Sequence, residues 1–191
     1  HSFPTRRSSD LVIQLRNRMA NLHDIVQWCN QTLKVSEFKD YAPNGLQIEG
    51  TPEVNKIVCA VTASEDAINA AIAQQADALL VHHGYFWKGE AYPITGMRGN
   101  RIKKLIQNNI SLIAYHLPLD SHPTLGNNAA IADLIGLQKL EALDPFEKHP
   151  IGNIGYLESP LNPEQFKTNL QAIFDFKDLS IYVPVDMYLP S

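Results

Sequence analysis

Three strand-sized apolar runs, at residues 56–61, 78–81 and 111–115, do most to limit what this chain can fold into. The segments between them have helical periodicity: Ala67, Ile68, Ala71 and Ile72 share one face of a helix over residues 65–74, and residues 101–107 belong to another. Strands alternating with helices at this spacing predict βαβ units and a largely parallel sheet, an α/β fold. The runs are almost unbroken in apolar character, as expected of strands covered by helices on both faces. A further amphipathic helix is predicted over residues 22–33, with Leu22, Ile25, Val26, Cys29 and Leu33 on one face and Asn21 as its N-cap. Another, over residues 127–135, ends at Gly136.

After Leu143 the character changes. Pro145, Pro150, Pro160 and Pro163 crowd a short span, with a strand predicted at residues 154–157, a helix at 163–174 and a strand at 179–183. The expected organisation is therefore a first α/β unit over residues 19–143 and the start of a second, incomplete unit over residues 144–191. Residues 1–18 are expected to stand outside the fold. The string Pro4-Thr5-Arg6-Arg7-Ser8-Ser9-Asp10-Leu11 resembles a translated sequencing adapter, and Met19 opens a clean helix start; a flexible basic arm is the alternative.

Composition removes several function classes. With 45% hydrophobic and 19% charged residues, the 191-residue chain is not a disordered one. No apolar run approaches the ~20 residues of a membrane helix. Cys29 and Cys59 are the only cysteines and form no CxxC pair, which excludes a zinc ribbon and a disulfide scaffold and suits a reducing cytoplasm. The net charge of -4 falls to -7 once residues 1–18 are set aside, which argues against nucleic acid as a partner. No GxGxxG, Walker or GxSxG string occurs.

In an open parallel sheet, ligands bind beyond the carboxyl ends of the strands. Those positions read Thr62-Ala63-Ser64, His82-His83-Gly84-Tyr85-Phe86-Trp87 and His116-Leu117-Pro118-Leu119-Asp120. Successive side chains on a strand point to opposite faces, so His82 and His83 can share one cavity only where the strand is ending, with Gly84 supplying the bend. Alternatively, each imidazole serves a different ion of a two-metal site. His82, His83 and Asp120 are the candidate metal ligands, with Asp120 able to bridge two ions. Imidazole plus carboxylate suits Zn, Fe, Mn or Ni over Ca or Mg. His116, Thr62 and Ser64 are candidates to support the ligands from behind. Tyr85, Phe86 and Trp87 are read as lid or core. Lys88, Arg98, Arg101, Lys103 and Lys104 form a basic cluster read as a solvated helix face, with phosphate contact as the alternative.

The blocks Tyr41-Ala42-Pro43-Asn44-Gly45-Leu46-Gln47, Val61-Thr62-Ala63-Ser64, Val81-His82-His83-Gly84-Tyr85-Phe86-Trp87-Lys88-Gly89, His116-Leu117-Pro118-Leu119-Asp120 and Gly126-Asn127-Asn128 occur in this order. Together they resemble the NIF-three-like family of dinuclear-metal proteins, often labelled GTP cyclohydrolase 1 type 2 homologs. The resemblance implies an α/β fold of two related halves, assembled as a toroidal hexamer with the metal sites facing an inner cavity. It maps family metal ligands onto His82, His83 and Asp120, and implies two further ligands, a His and a Glu on an HxxxE-type element near the C-terminus. This sequence has no such element and is read as C-terminally truncated. The expectation is a cytoplasmic dinuclear-metal hydrolase, in which a metal-activated water attacks a purine-type ring or a phosphoester of a small-molecule or nucleotide substrate. The alternative is a ring-forming metal-binding protein that is not catalytic and acts through protein or nucleic-acid partners.

Overall fold

The computed structural model describes residues 13–14 and 19–174. The chain divides into two compact units, the first running to Leu119 and the second starting at Asp120.

In the first unit, a two-residue strand β1 (Ile13–Gln14) and a second, β2 (Ala20–Asn21), precede helix α1 (Leu22–Thr32). Asn21 caps α1 as expected: its side chain accepts from the backbone N–H of His23 at 2.9 Å and of Asp24 at 3.4 Å. A 3-10 turn (Val35–Glu37) leads to β3 (Gly45–Ile48) and β4 (Glu53–Val54), then to β5 (Lys56–Thr62), α2 (Glu65–Ala73), β6 (Ala78–His83), α3 (Gly96–Gln107) and β7 (Ser111–Ala114); the short α4 (Leu117–Asp120) begins in this unit and ends on the first residue of the second.

The main sheet has the order β1-β5-β6-β7-β3. Its centre is parallel, β5 with β6 and β6 with β7, while β1 and β3 flank it antiparallel and β2 pairs with β4 separately. The apolar runs are thus the parallel strands, and their alternating side chains feed two cores. Val58, Leu79, Val81, Leu112 and Ala114 meet Ile68 and Ala71 of α2 and Ile102 and Leu105 of α3. Ala78 and Ile113, with Tyr115 beyond the end of β7, meet Leu22 and Val26 of α1. Helices on both faces explain why β7 is buried at every position. Of residues 1–18, only 13–14 are described, and their backbone pairs with the start of β5.

The second unit continues with α5 (Asn127–Leu134), β8 (Gln138–Ala142), β9 (Asn153–Tyr156) and α6 (Pro163–Phe174). β8 and β9 form an antiparallel pair, and α5 packs on β9. That packing draws α5 in with the hairpin, so the division falls between Leu119 and Asp120, ahead of the change in composition after Leu143. The strand predicted at residues 179–183 lies outside the described residues. No helix among the described residues is long and apolar enough to cross a membrane. Cys29 and Cys59 are both free and half-buried, and burial pushes both thiols above their ordinary range.

Candidate metal centre

The carboxyl end of β6 carries His82 and His83, and His116 follows β7 in the same unit. Candidate ligand nitrogens of the three imidazoles all lie within 4.8 Å of one another. The ring centroids of His82 and His83 are 4.5 Å apart, and His116 is 5.0 Å from His82 and 5.8 Å from His83. Adjacent histidines share one space because β6 ends at His83.

Gly84 matters here through close approach. A Cβ on it would overlap the Gln47 side-chain oxygen and lie 2.8 Å from the Ala114 Cβ. That Gln47 oxygen accepts from the Tyr85 backbone N–H at 2.7 Å, and its Nε2 donates to the Pro43 carbonyl at 2.8 Å. β3 is thereby tied to the loop after β6. Further along that loop, Phe86 sits at φ +66°, in the left-handed region; a non-glycine residue there costs on the order of 1–3 kcal/mol and persists only where the surroundings demand it.

Each imidazole is oriented through its Nδ1. His82 Nδ1 lies 2.9 Å from the Tyr115 carbonyl; a carbonyl only accepts, so Nδ1 carries the proton and the lone pair is on Nε2. His83 Nδ1 is 3.1 Å from the Thr62 hydroxyl, its register partner across β5 and β6. His116 Nδ1 is 3.0 and 3.2 Å from the two carboxylate oxygens of Asp40. Asp40 also accepts from the Leu117 N–H at 3.0 Å, the Ala42 N–H at 3.2 Å and the Asn44 amide at 2.9 Å. Burial alone would push the Asp40 carboxyl up; the hydrogen bonds from Asn44, His116, Leu117 and Ala42 outweigh it and hold the carboxyl below its usual range. Asn44 Oδ1 accepts from the His116 backbone N–H at 2.7 Å, so one loop grips both the ring and the backbone of His116.

Aromatic rings line this cluster. Trp87 stands 4.9 Å from His116 and 5.9 Å from His83, and Tyr41 stands 5.2 Å from His116 and 5.8 Å from Trp87. The Trp87 indole N–H donates to the Gly84 carbonyl at 3.1 Å, which sets the ring's angle. Of the three aromatic residues read as lid or core, Tyr85 is core, with its hydroxyl donating to the Ala63 carbonyl at 2.6 Å, whereas Phe86 is exposed and Trp87 lines the cluster.

The Thr62 hydroxyl lies beside His83 Nδ1, and Ser64 caps α2, its hydroxyl accepting from the Ala67 N–H at 3.2 Å. Asp120 opens the second unit; its Oδ1 accepts from the Asn127 amide at 2.9 Å and its carbonyl from Asn128 at 3.3 Å. His122 is engaged in its own turn, with Nδ1 accepting from the Leu125 N–H at 3.0 Å. Two members of the basic cluster are engaged within the chain: Arg98 bonds Glu90 and the Pro93 carbonyl, and Lys104 bonds Glu65 and Asn69. Asp40 and Gln47 carry site geometry that sequence reasoning did not assign. The turn string beginning at Tyr41 pointed to that loop without identifying the carboxylate that precedes it.

The family model of Duf34/NIF3 (NGG1p interacting factor 3) matches residues 20–187. A "GTP cyclohydrolase 1 type 2 homolog" of Haemophilus influenzae is 48% identical over 163 residues, which cover 84% of this chain and 63% of that protein. Among solved structures, a protein described as "protein ybgI, unknown function" superposes with a TM-score of 0.78 at 42% identity, over 84% of this chain and 63% of that one. The TTHA1606 protein of Thermus thermophilus follows with a TM-score of 0.70 at 35% identity, over 80% and 61%. The chain thus spans somewhat under two thirds of the length of these relatives.

Proposed function

The chain belongs to the Duf34/NIF3 (NGG1p interacting factor 3) family, and on that premise we propose that it is a divalent-metal-binding protein of hydrolase type. The observation that carries this reading is the convergence of His82, His83 and His116, each with Nδ1 engaged by a partner. The donor set fits the group: neutral imidazoles suit Zn, Fe, Mn or Ni. Two bonds of ~2.1 Å to one ion span at most ~4.2 Å, so the cluster needs only a small closure of the rings.

A bound ion would supply Lewis acidity, polarising water and neutralising charge on an oxyanion or phosphate. The chain's own residues do the rest. Thr62, the Tyr115 carbonyl and Asp40 aim the imidazoles, and the Trp87 and Tyr41 rings line the cluster beside His116. Asp120 is the proposed carboxylate ligand on sequence grounds, able to bridge a second ion. The proposed substrate is a nucleotide or a related small molecule, opened at a purine-type ring or cleaved at a phosphoester, in keeping with the name its relatives carry. A hexameric ring and a cytoplasmic location belong to the same proposal.

A second reading has one observation in its favour: the family description names an interacting factor, which suits a metal-stabilised module acting through a protein partner. GTP turnover by the chain loaded with Zn, Mn or Fe separates the two. Turnover abolished by a chelator and by His83→Ala supports the hydrolase; turnover indifferent to both contradicts it. Retained metal without any turnover favours the partner-binding reading.

A further inference from the structure

We infer that Tyr41 is a stacking platform for the planar base of a nucleotide, with Trp87 as its backing ring, so that this side of the candidate metal centre recognises its ligand through a π-face. The inference rests on the reading above of a nucleotide-class substrate and gives that substrate a recognition residue that is not a metal ligand.

Three observations carry it. First, Tyr41 is 54% exposed although its ring meets two others: it is T-shaped to His116 at 5.2 Å and tilted by 35° to Trp87 at 5.8 Å. Open aromatic surface is thus presented next to the imidazoles rather than at a remote part of the unit. Second, the backbone of Tyr41 is held from both directions. Its carbonyl accepts from the Lys88 N–H at 2.7 Å, and it lies between Asp40, whose side chain is almost wholly buried and accepts from the Leu117 and Ala42 N–H groups, and the buried Ala42. Third, Trp87 is fixed at both its side chain and its backbone. The indole N–H donates to the Gly84 carbonyl, and the backbone N–H donates at 3.1 Å to a Glu90 carboxylate oxygen that Arg98 also bonds at 2.7 Å. An aromatic corner held in this way is preformed, so a ligand docking on it pays little to order the rings. Aromatic rings favour offset or edge contacts with other flat rings, and every nucleobase has a π-face to offer. Tyr92 and Phe146 are also exposed, but neither stands beside a ligand-capable cluster.

Two measurements on the whole 191-residue chain test this. Trp28 and Trp87 are its only tryptophans, so Trp28→Phe leaves Trp87 as the sole indole reporter. In that variant, kept in chelator, guanosine monophosphate is expected to quench Trp87 emission saturably, whereas ribose 5-phosphate, which lacks the base, leaves it unchanged. In equilibrium dialysis with guanosine monophosphate, Tyr41→Ala is expected to weaken binding about 5–100-fold, the range for loss of one stacking ring. Tyr41→Leu, which keeps apolar bulk without a π-face, should lose nearly as much and serves where Tyr41→Ala fails to fold. Tyr41→Phe, which keeps the ring, should bind as the wild-type chain does. The inference is overturned if guanosine monophosphate does not quench, if ribose 5-phosphate quenches equally, or if folded Tyr41→Ala and Tyr41→Leu bind the nucleotide as tightly as the wild-type chain. Failure of the metal reading looks different: the wild-type chain would bind no zinc while the quenching and the Tyr41 series stood.

Discussion

The two units handle apolar surface in opposite ways. In the first, Leu22, Ile68, Leu79, Leu105, Leu112 and Ile113 are at most 1% exposed, and helices close the sheet on both faces. In the second, Ala132 is the only buried hydrophobic residue among the described residues, while Leu143, Phe146, Ile154 and Tyr156 are exposed. The difference shows where a preorganised site can be built. Imidazoles can be held to a fraction of an ångström only if the strands beneath them cannot shift, and close-packed interiors resist such shifts. His82 and His83 extend a strand whose preceding residues are locked in two cores; the β8–β9 pair has no comparable footing.

The sharpest way to break this comparison is to truncate matched apolar residues in each unit. Leu79→Ala should cost about 2–5 kcal/mol in urea unfolding, because it leaves a cavity in a closed core. Ile154→Ala, at a position 45% exposed, should cost less than about 1 kcal/mol. Equal losses would mean that the second unit has a core of similar quality.

Next in size is ligand removal. His83→Ala should weaken zinc by more than the roughly 10–100-fold expected for loss of a supporting hydrogen bond, with little loss of fold stability because His83 is only half-buried. Equilibrium dialysis followed by elemental analysis measures the first, and denaturant unfolding the second.

The pH dependence of the first unit is a smaller effect. Hydrogen bonds hold the Asp40 carboxyl below its ordinary range. Its contribution is therefore fully present above the unfolded-state value of about 3.9, and is lost as pH falls through the lower folded-state value. Measured in chelator, wild-type protein should exceed Asp40→Asn in stability at pH 7, with the gap closing in strong acid. A gap that widens on acidification would refute this assignment.

Much of the fold could be read directly from residue patterns. Ala78–Leu79–Leu80–Val81 is too short and too apolar for anything but a buried strand, and Asn21 before Leu22 is an N-cap by side-chain chemistry. The helix of residues 163–174 starts and stops where its pattern does. The edges were harder. β3, with the sequence Gly-Leu-Gln-Ile, follows a turn and has no strand pattern of its own; it exists because β7 offers it a partner. β8, Gln-Lys-Leu-Glu-Ala, is mostly polar and mostly exposed. The site divided in the same way. Adjacent histidines followed by glycine announce themselves, but Asp40 lies 76 residues from His116 and only the folded sheet brings them together.

Helix caps give the smallest contrast. Asn21→Ala should cost about 1 kcal/mol, since α1 seals one face of the first unit. Asn162 and Gln165 form a reciprocal cap on α6, with N–H to side-chain distances of 2.9 and 3.1 Å. With no buried residue on that helix, Asn162→Ala should register less in global unfolding than Asn21→Ala. A larger loss at Asn162 would show that α6 matters more to the fold than its exposure suggests.

The central proposal is that the first unit's histidine cluster can hold a divalent metal ion. X-ray absorption of the chain loaded with one equivalent of zinc counts imidazole ligands directly. Imidazole ligands are predicted in the wild-type chain, and fewer of them in His83→Ala. A wild-type spectrum without imidazole, or one that His83→Ala leaves unchanged, would contradict the account.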